Sequence, residues 1–130
     1  MNNLPRINVT AGILRRDEKI LLAQRPEPKY NGLWESPGGK IEQGELPESC
    51  LKRELSEELE ILCKVGSLFQ ITEWAREDKV IVLHTYWIDS FEGEPKALEH
   101  KSLKWISISD LKEEELLPAD KPLVVLLRSL

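Results

Sequence analysis

Soft metal ligands are scarce in this sequence: its 130 residues include two cysteines and two histidines. His84 and His100 stand apart, and Cys50 and Cys63 form no C-x-x-C or Cys/His spacing, so a structural zinc centre is excluded. The two cysteines read as buried, reduced thiols of a cytoplasmic protein. Long apolar runs are also missing. The longest extends only from Leu123 to Leu127, far short of a bilayer span, and no basic segment precedes an apolar one at the N-terminus. No membrane association and no export are therefore expected. Basic residues are outnumbered by acidic ones, 18 to 23, giving a net charge of −5. That balance argues against tracking a nucleic-acid polymer. An acidic protein that handles anionic substrates needs a cation between the two.

Glycine and proline, seven and eight residues, are concentrated in one stretch. Pro26, Pro28, Gly32, Pro37, Gly38, Gly39 and Gly44 fall within residues 25–44, which predicts a long structured loop of the kind that carries function. Apolar residues make up 41% and charged residues 32% of the chain, as in a folded globular protein, and residues 1–130 read as one domain. Residues 7–14 and 19–24 predict two strands joined by a tight connection. Residues 47–59 predict a helix, with Pro47 in its first turn and Leu51, Leu55 and Leu59 as one apolar stripe. Strands follow over 64–74, 79–89 and 103–106, with a turn at Glu92–Pro95. A short helix is expected from Ser109 or Asp110 through Glu115. A terminal helix over 122–130 is expected to pack through Leu123, Leu126, Leu127 and Leu130. This order predicts an α/β fold with a mixed sheet covered by helices.

On the 47–59 helix, about 100° per residue places Glu54, Glu57 and Glu58 on one face. Without a cation such neighbours repel and cost a few tenths of a kcal/mol per pair. A hard divalent ion reverses that sign, and oxygen ligands with open positions suit Mg²⁺ or Mn²⁺. An acidic run on a helix is commonly only a solvated face; here it is preceded by the Gly/Pro loop and accompanied by Glu45 and Arg53.

The stretch GKIEQGELPESCLKRELSEELEI, Gly39–Ile61, resembles the motif of the Nudix hydrolases, G-x5-E-x7-R-E-U-x-E-E-x-G-U with U aliphatic. Gly39, Glu45, Arg53, Glu54, Leu55, Glu57, Glu58 and Ile61 match in register, at a chance frequency on the order of one in a million. Similarity to the MutT-like branch extends through LLAQRP, GLWESPGGK, EGEP, E-H-x-x-L-x-W and PADKP. The resemblance implies a mixed β-sheet sandwiched between helices (α/β/α). It implies Mg²⁺, for which Mn²⁺ can substitute, held by the Gly38 carbonyl, Glu54, Glu57, Glu58 and Glu99. Arg53 and Glu45 pair to brace the loop against the helix, with Gly39 allowing close approach. The general base is Glu54 or Glu99. Lys40 and Arg25 are candidates for phosphate or base contacts, Trp34 for stacking, and Asp120 for reading the base, with a helix cap as its other role.

The implied reaction is hydrolysis of a (deoxy)nucleoside triphosphate to monophosphate and pyrophosphate. Candidate substrates are 8-oxo-dGTP, in nucleotide-pool sanitation, or CTP-type nucleotides. Two alternatives stand beside it: hydrolysis of nucleotide sugars or dinucleoside polyphosphates, and a catalytically silent nucleotide-binding domain. The partner is a small nucleotide, and the protein is a monomer or homodimer. Two departures touch the helix ends. Glu60 replaces the motif glycine, predicting a left-handed Glu at a cost of roughly 1 kcal/mol, and Leu46 replaces a capping residue. Ser36 replaces an aromatic residue common among close relatives, predicting a roomier or differently shaped pocket.

Overall fold

The computed structural model describes residues 3–26 and 32–130. Pro28 of the predicted loop lies outside them.

Strand β1 (Arg6–Ile13) runs parallel to β7 (Val80–Glu92), from Arg6 opposite Val80 to Ile13 opposite Trp87. Its other edge pairs antiparallel with β5 (Gly38–Lys40), and β6 (Leu62–Ala75) pairs antiparallel with β7, so the mixed sheet has the order β5-β1-β7-β6. A second, antiparallel sheet is built on β3 (Lys19–Gln24), which pairs with β2 (Arg15–Arg16), β4 (Trp34–Glu35) and β8 (Ser102–Ser107). The expected mixed sheet thus comes with a companion.

The tight connection between the first two predicted strands is real but belongs to β2 and β3. Asp17 and Glu18 both take positive φ, 50° and 65°, as a two-residue hairpin turn requires. β1 ends at Ile13, and the next residue, Leu14, is fully buried and accepts the backbone N–H of Leu21 on β3.

Helix α1 (Pro47–Leu59) coincides with its predicted bounds and buries Cys50, Leu51, Leu55 and Leu59. No side chain caps its start at Leu46, and Glu60 ends it in the left-handed region (φ 58°, ψ 43°), as the departures from the motif imply. Its leucines join Leu14, Leu21, Ile61, Tyr86 and Ile88 in one core cluster. A second cluster holds Ile13, Ile20, Leu22, Leu111 and Leu116 against α2 (Lys121–Arg128). Strand alternation makes the division: Leu21 of β3 faces α1, while Ile20 and Leu22 face α2. Helix, sheets and helix form the α/β/α layering.

Two predicted elements differ. The helix expected through Glu115 is two 3₁₀ turns, Ile108–Asp110 and Glu113–Glu115, because Leu111 and Lys112 are extended between them. In α2 the buried residues are Leu123, Val124 and Leu127, while Leu126 and Leu130 are exposed. Cys50 and Cys63 are buried and unbridged. No helix among the described residues is long and apolar enough to cross a membrane.

Candidate active site

A cleft of about 580 Å³ opens on the face of the mixed sheet. Its floor follows the strand order: Gly39 on β5, Val9 and Thr10 on β1, Ile81 and Leu83 on β7, and Trp74 on β6. Glu54 and Glu58 of α1 wall one side, with Glu99, His100, Arg25, Glu35, Ser36 and the turn Leu117–Asp120 around the rest.

Arg53 organises the acidic wall. Its Nε donates to Glu45 Oε2 at 2.8 Å and its second terminal nitrogen to Glu45 Oε1 at 3.0 Å, a two-pronged pairing. The remaining nitrogen reaches Glu54 Oε1 at 3.0 Å and Glu57 Oε2 at 3.2 Å. The Glu45 carboxylate also accepts from the Glu42 backbone N–H, and these bonds, Arg53 first, hold its pKa at about 2. Glu45 therefore stays ionised and anchors the loop to the helix.

The Glu54 carboxyl lies against the backbone of Gly39. A Cβ there would collide with Glu54 Cδ, and a Cβ on Gly38 would collide with the Thr10 carbonyl. Neither glycine has positive φ; what both supply is space for close approach. Burial pushes the Glu54 pKa upward, against the pull of Arg53. Glu58 is pushed further, to about 9, by burial and then by the negative charges of Glu54, Glu99 and Glu35.

Asp120, also in the lining, is 5% exposed, and its Oδ1 accepts from the Ser36 N–H at 3.2 Å. Thr72 Oγ1 donates to the Ala119 carbonyl at 3.0 Å, tying this turn to β6. Desolvation, and secondarily Glu35, raises the Asp120 pKa to about 8. The carboxyl is thus protonated at neutral pH, where the sequence alone suggested an ionised acceptor. Between about pH 4 and pH 8 the folded state holds a proton that the unfolded chain has lost, so this group lowers stability as pH rises. Asp120→Asn should raise Tm more at pH 8 than at pH 5. Equal shifts in calorimetric scans at the two pH values would contradict the assignment.

Of the candidate residues, the cleft brings together Gly38, Gly39, Lys40, Glu54, Glu58, Glu99, Arg25 and Asp120. Glu57 is not among its lining residues, and its side chain is 56% exposed beside Arg53. Trp34 also lies outside the lining: it packs on the second core cluster with Lys104 over its ring. Trp74 lines the cleft, with the Arg76 guanidinium 4.9 Å from its ring centroid. Asp120 makes no capping bond to α2. His84 pairs with Asn8 at 3.0 Å, away from the cleft lining.

Sequence reasoning missed Glu35, His100, Trp74, Arg76 and Lys79. Glu35 Oε2 lies 2.9 Å from Arg25 Nε and 3.2 Å from His100 Nε2. Strand alternation offered a signal for Glu35: with Trp34 packed into the core, its neighbour on β4 must face the opposite way.

The donor set suits a hard divalent cation. Glu58 Oε2 is buried without a partner among carboxylates that repel one another. Among the described residues no three His, Cys, Asp or Glu side chains form a ready-made metal cage. That arrangement fits an ion held by a few carboxylates together with water and substrate phosphate.

The NUDIX domain family matches residues 5–127, and the chain belongs to that family, whose members use divalent metal cations. It is 42% identical over 119 residues to the CTP pyrophosphohydrolase of Escherichia coli K12, covering 91% of this chain and 88% of that one. It is 34% identical over 130 residues to the 8-oxo-dGTP diphosphatase of the same organism, covering 98% and 100%. The MutT NUDIX hydrolase structure from Burkholderia pseudomallei superposes with a TM-score of 0.85 at 28% identity, covering 94% of this chain and 98% of that one. The protein is accordingly a MutT-like Nudix hydrolase.

Proposed function

We propose that the protein hydrolyses (deoxy)nucleoside triphosphates to the monophosphate and pyrophosphate, with Mg²⁺ as its working ion. The observation that carries this reading is one cleft that gathers two sets of groups. Glu54, Glu58 and Glu99 line it with Gly38 and Gly39 as an acidic set, and Asp120, Ser36 and Trp74 line the same cleft. The similarity to a CTP pyrophosphohydrolase and an 8-oxo-dGTP diphosphatase supports cytosine or oxidised guanine as the base.

Glu54, Glu58, Glu99 and the Gly38 carbonyl would hold the ion, with Glu57 beside them on the helix ridge. Bound there, a divalent ion neutralises phosphate oxygens and offsets the charge that develops on them. The chain's own groups do the rest. Glu54, fixed by Arg53 and by its seat on Gly39, is our first choice to take the proton from the attacking water, and Glu99 the second. Water oxygen bonds to phosphorus, and the bond to the departing pyrophosphate oxygen breaks. Lys40 and Arg25 reach the cleft as cations for the phosphate tail. Trp74 is the surface on which a base can lie, in place of Trp34. The two unbridged cysteines fit a cytoplasmic setting.

A panel of canonical and oxidised (d)NTPs with Mg²⁺, scored for pyrophosphate, tests this. Pyrophosphate from a cytosine or oxidised guanine nucleotide is expected. Sugar phosphate from nucleotide sugars, or binding without turnover across the panel, would overturn it.

A further inference from the structure

We propose that Cys50 and Thr10 are positioning residues for the ion's site: their thiol and hydroxyl pin strand β5, and with it the Gly38 carbonyl and the seat of Glu54 on Gly39. This rests on the reading of the acidic wall as the place of a divalent cation. It concerns two side chains that the motif leaves unspecified.

Strand β5 is an edge of the mixed sheet, paired only with β1. The Gly12 N–H donates to the Pro37 carbonyl at 2.8 Å and the Ile41 N–H to the Asn8 carbonyl at 2.9 Å, with Gly39 opposite Thr10 between them. Hydrogen-bonding residues alternate along an antiparallel pair, so residues 37, 39 and 41 face β1. The carbonyls of Gly38 and Lys40 therefore point the other way, where the ladder does not hold them. Two successive glycines also bring no side chain of their own to restrain the backbone there.

The restraint comes from β1 and α1. The Thr10 hydroxyl donates to the Gly39 carbonyl at 3.2 Å. The Cys50 Sγ lies 3.5 Å from that hydroxyl, 3.4 Å from the Lys40 carbonyl and 3.7 Å from the Gly39 carbonyl. Each side chain has one hydrogen to give. With the hydroxyl's hydrogen on Gly39, the thiol's goes to Lys40. A terminal nitrogen of Arg53 joins the group, donating to the Lys40 carbonyl at 3.5 Å and to the sulfur at 3.9 Å. Cys50 is 0% and Thr10 2% exposed, so water does not replace either bond. The backbone just after Gly38 is thus fastened at two consecutive carbonyls.

The test compares Thr10→Val and Cys50→Ala, which remove a donor, with Thr10→Ser and Cys50→Ser, which keep one. Two properties are measured without substrate: Mn²⁺ affinity by electron paramagnetic resonance, and amide hydrogen exchange at Ile41 in chelator. Groups that orient a metal's ligands are worth 10–100-fold in affinity, so each apolar variant should weaken Mn²⁺ binding about tenfold. Exchange at Ile41 should quicken in both, well beyond any change at Leu22 in the second sheet, which reads global stability. Both serine variants should behave as the wild type. The apolar variants act on β5 from opposite sides, so either carries the test if the other does not fold. Wild-type Mn²⁺ affinity in a folded apolar variant, an equal rise in exchange at Leu22 and Ile41, or a serine variant as impaired as its apolar partner would each overturn the proposal. A wild type that binds no Mn²⁺ would overturn the ion's site itself, and the proposal with it.

Discussion

Replacing Glu58 with Gln is expected to lower kcat by about three orders of magnitude while leaving the metal-free protein at least as stable as the wild type. The two halves have one cause. Glu58 is half-buried among Glu54, Glu99 and Glu35, and in the absence of a cation its burial, and then those negative charges, keep its carboxyl protonated up to about pH 9. Gln has nearly the shape of a protonated Glu and no charge to lose on folding, so the empty fold gives up nothing. A divalent ion needs the opposite state. It binds the ionised carboxylate, and an amide oxygen is a much poorer donor to a hard cation. Losing one carboxylate from the ion's set removes several kcal/mol of stabilisation from the charge developing in the transition state, and about 4 kcal/mol is a thousandfold in rate. Steady-state kinetics with Mg²⁺ and melting curves in chelator check the two halves separately. A kcat within tenfold of wild type, or a Tm lowered by several degrees, would remove Glu58 from the ion's site.

The acidic ridge was legible in the sequence because it is local. Helical spacing alone places Glu54 and Glu58 together, and leucines every four residues with Pro47 at the start define α1 to the residue. The rest of the site is not local. Trp74 comes to the cleft because β6 pairs with β7, opposite Ile81, and Asp120 because its turn is tied to Thr72. No periodicity within either segment encodes that meeting. Trp34 and Trp74 also look alike in sequence, each beside a glutamate. What separates them is which side of its strand each faces, and this depends on the partner strands. The terminal helix shows the same limit: spacing by leucines selected Leu126 and Leu130, whereas the packed face includes Val124. Leu111 and Lys112 broke the predicted helix for a similar reason, since burying Leu111 in the second cluster accompanies an extended backbone.

The adjacent glycines of β5 should fail in different ways when each is given a methyl group. At Gly38 the added Cβ meets the Thr10 carbonyl and the Ala11 Cα, both backbone, in the register where β5 pairs with β1. Neither strand can yield without opening the ladder between them. Overpacking against backbone costs more than the 1–3 kcal/mol typical of a crowded core, so Gly38→Ala should lose about 3 kcal/mol or more, roughly 10 °C in Tm for a domain of this size. At Gly39 the added Cβ meets only the end of the Glu54 side chain, which can rotate away. Stability should then fall little, within about 3 °C of wild type. The rotation, however, takes the carboxylate off its seat and away from the Arg53 nitrogen 3.0 Å from it. Displacing a reacting group by about an ångström costs on the order of a hundredfold in kcat. Melting curves and kcat for both variants separate the outcomes: a folded, slow Gly39→Ala beside an unstable Gly38→Ala is expected. A fully active Gly39→Ala would show that the seat on Gly39 does not set the position of the Glu54 carboxylate in the reaction.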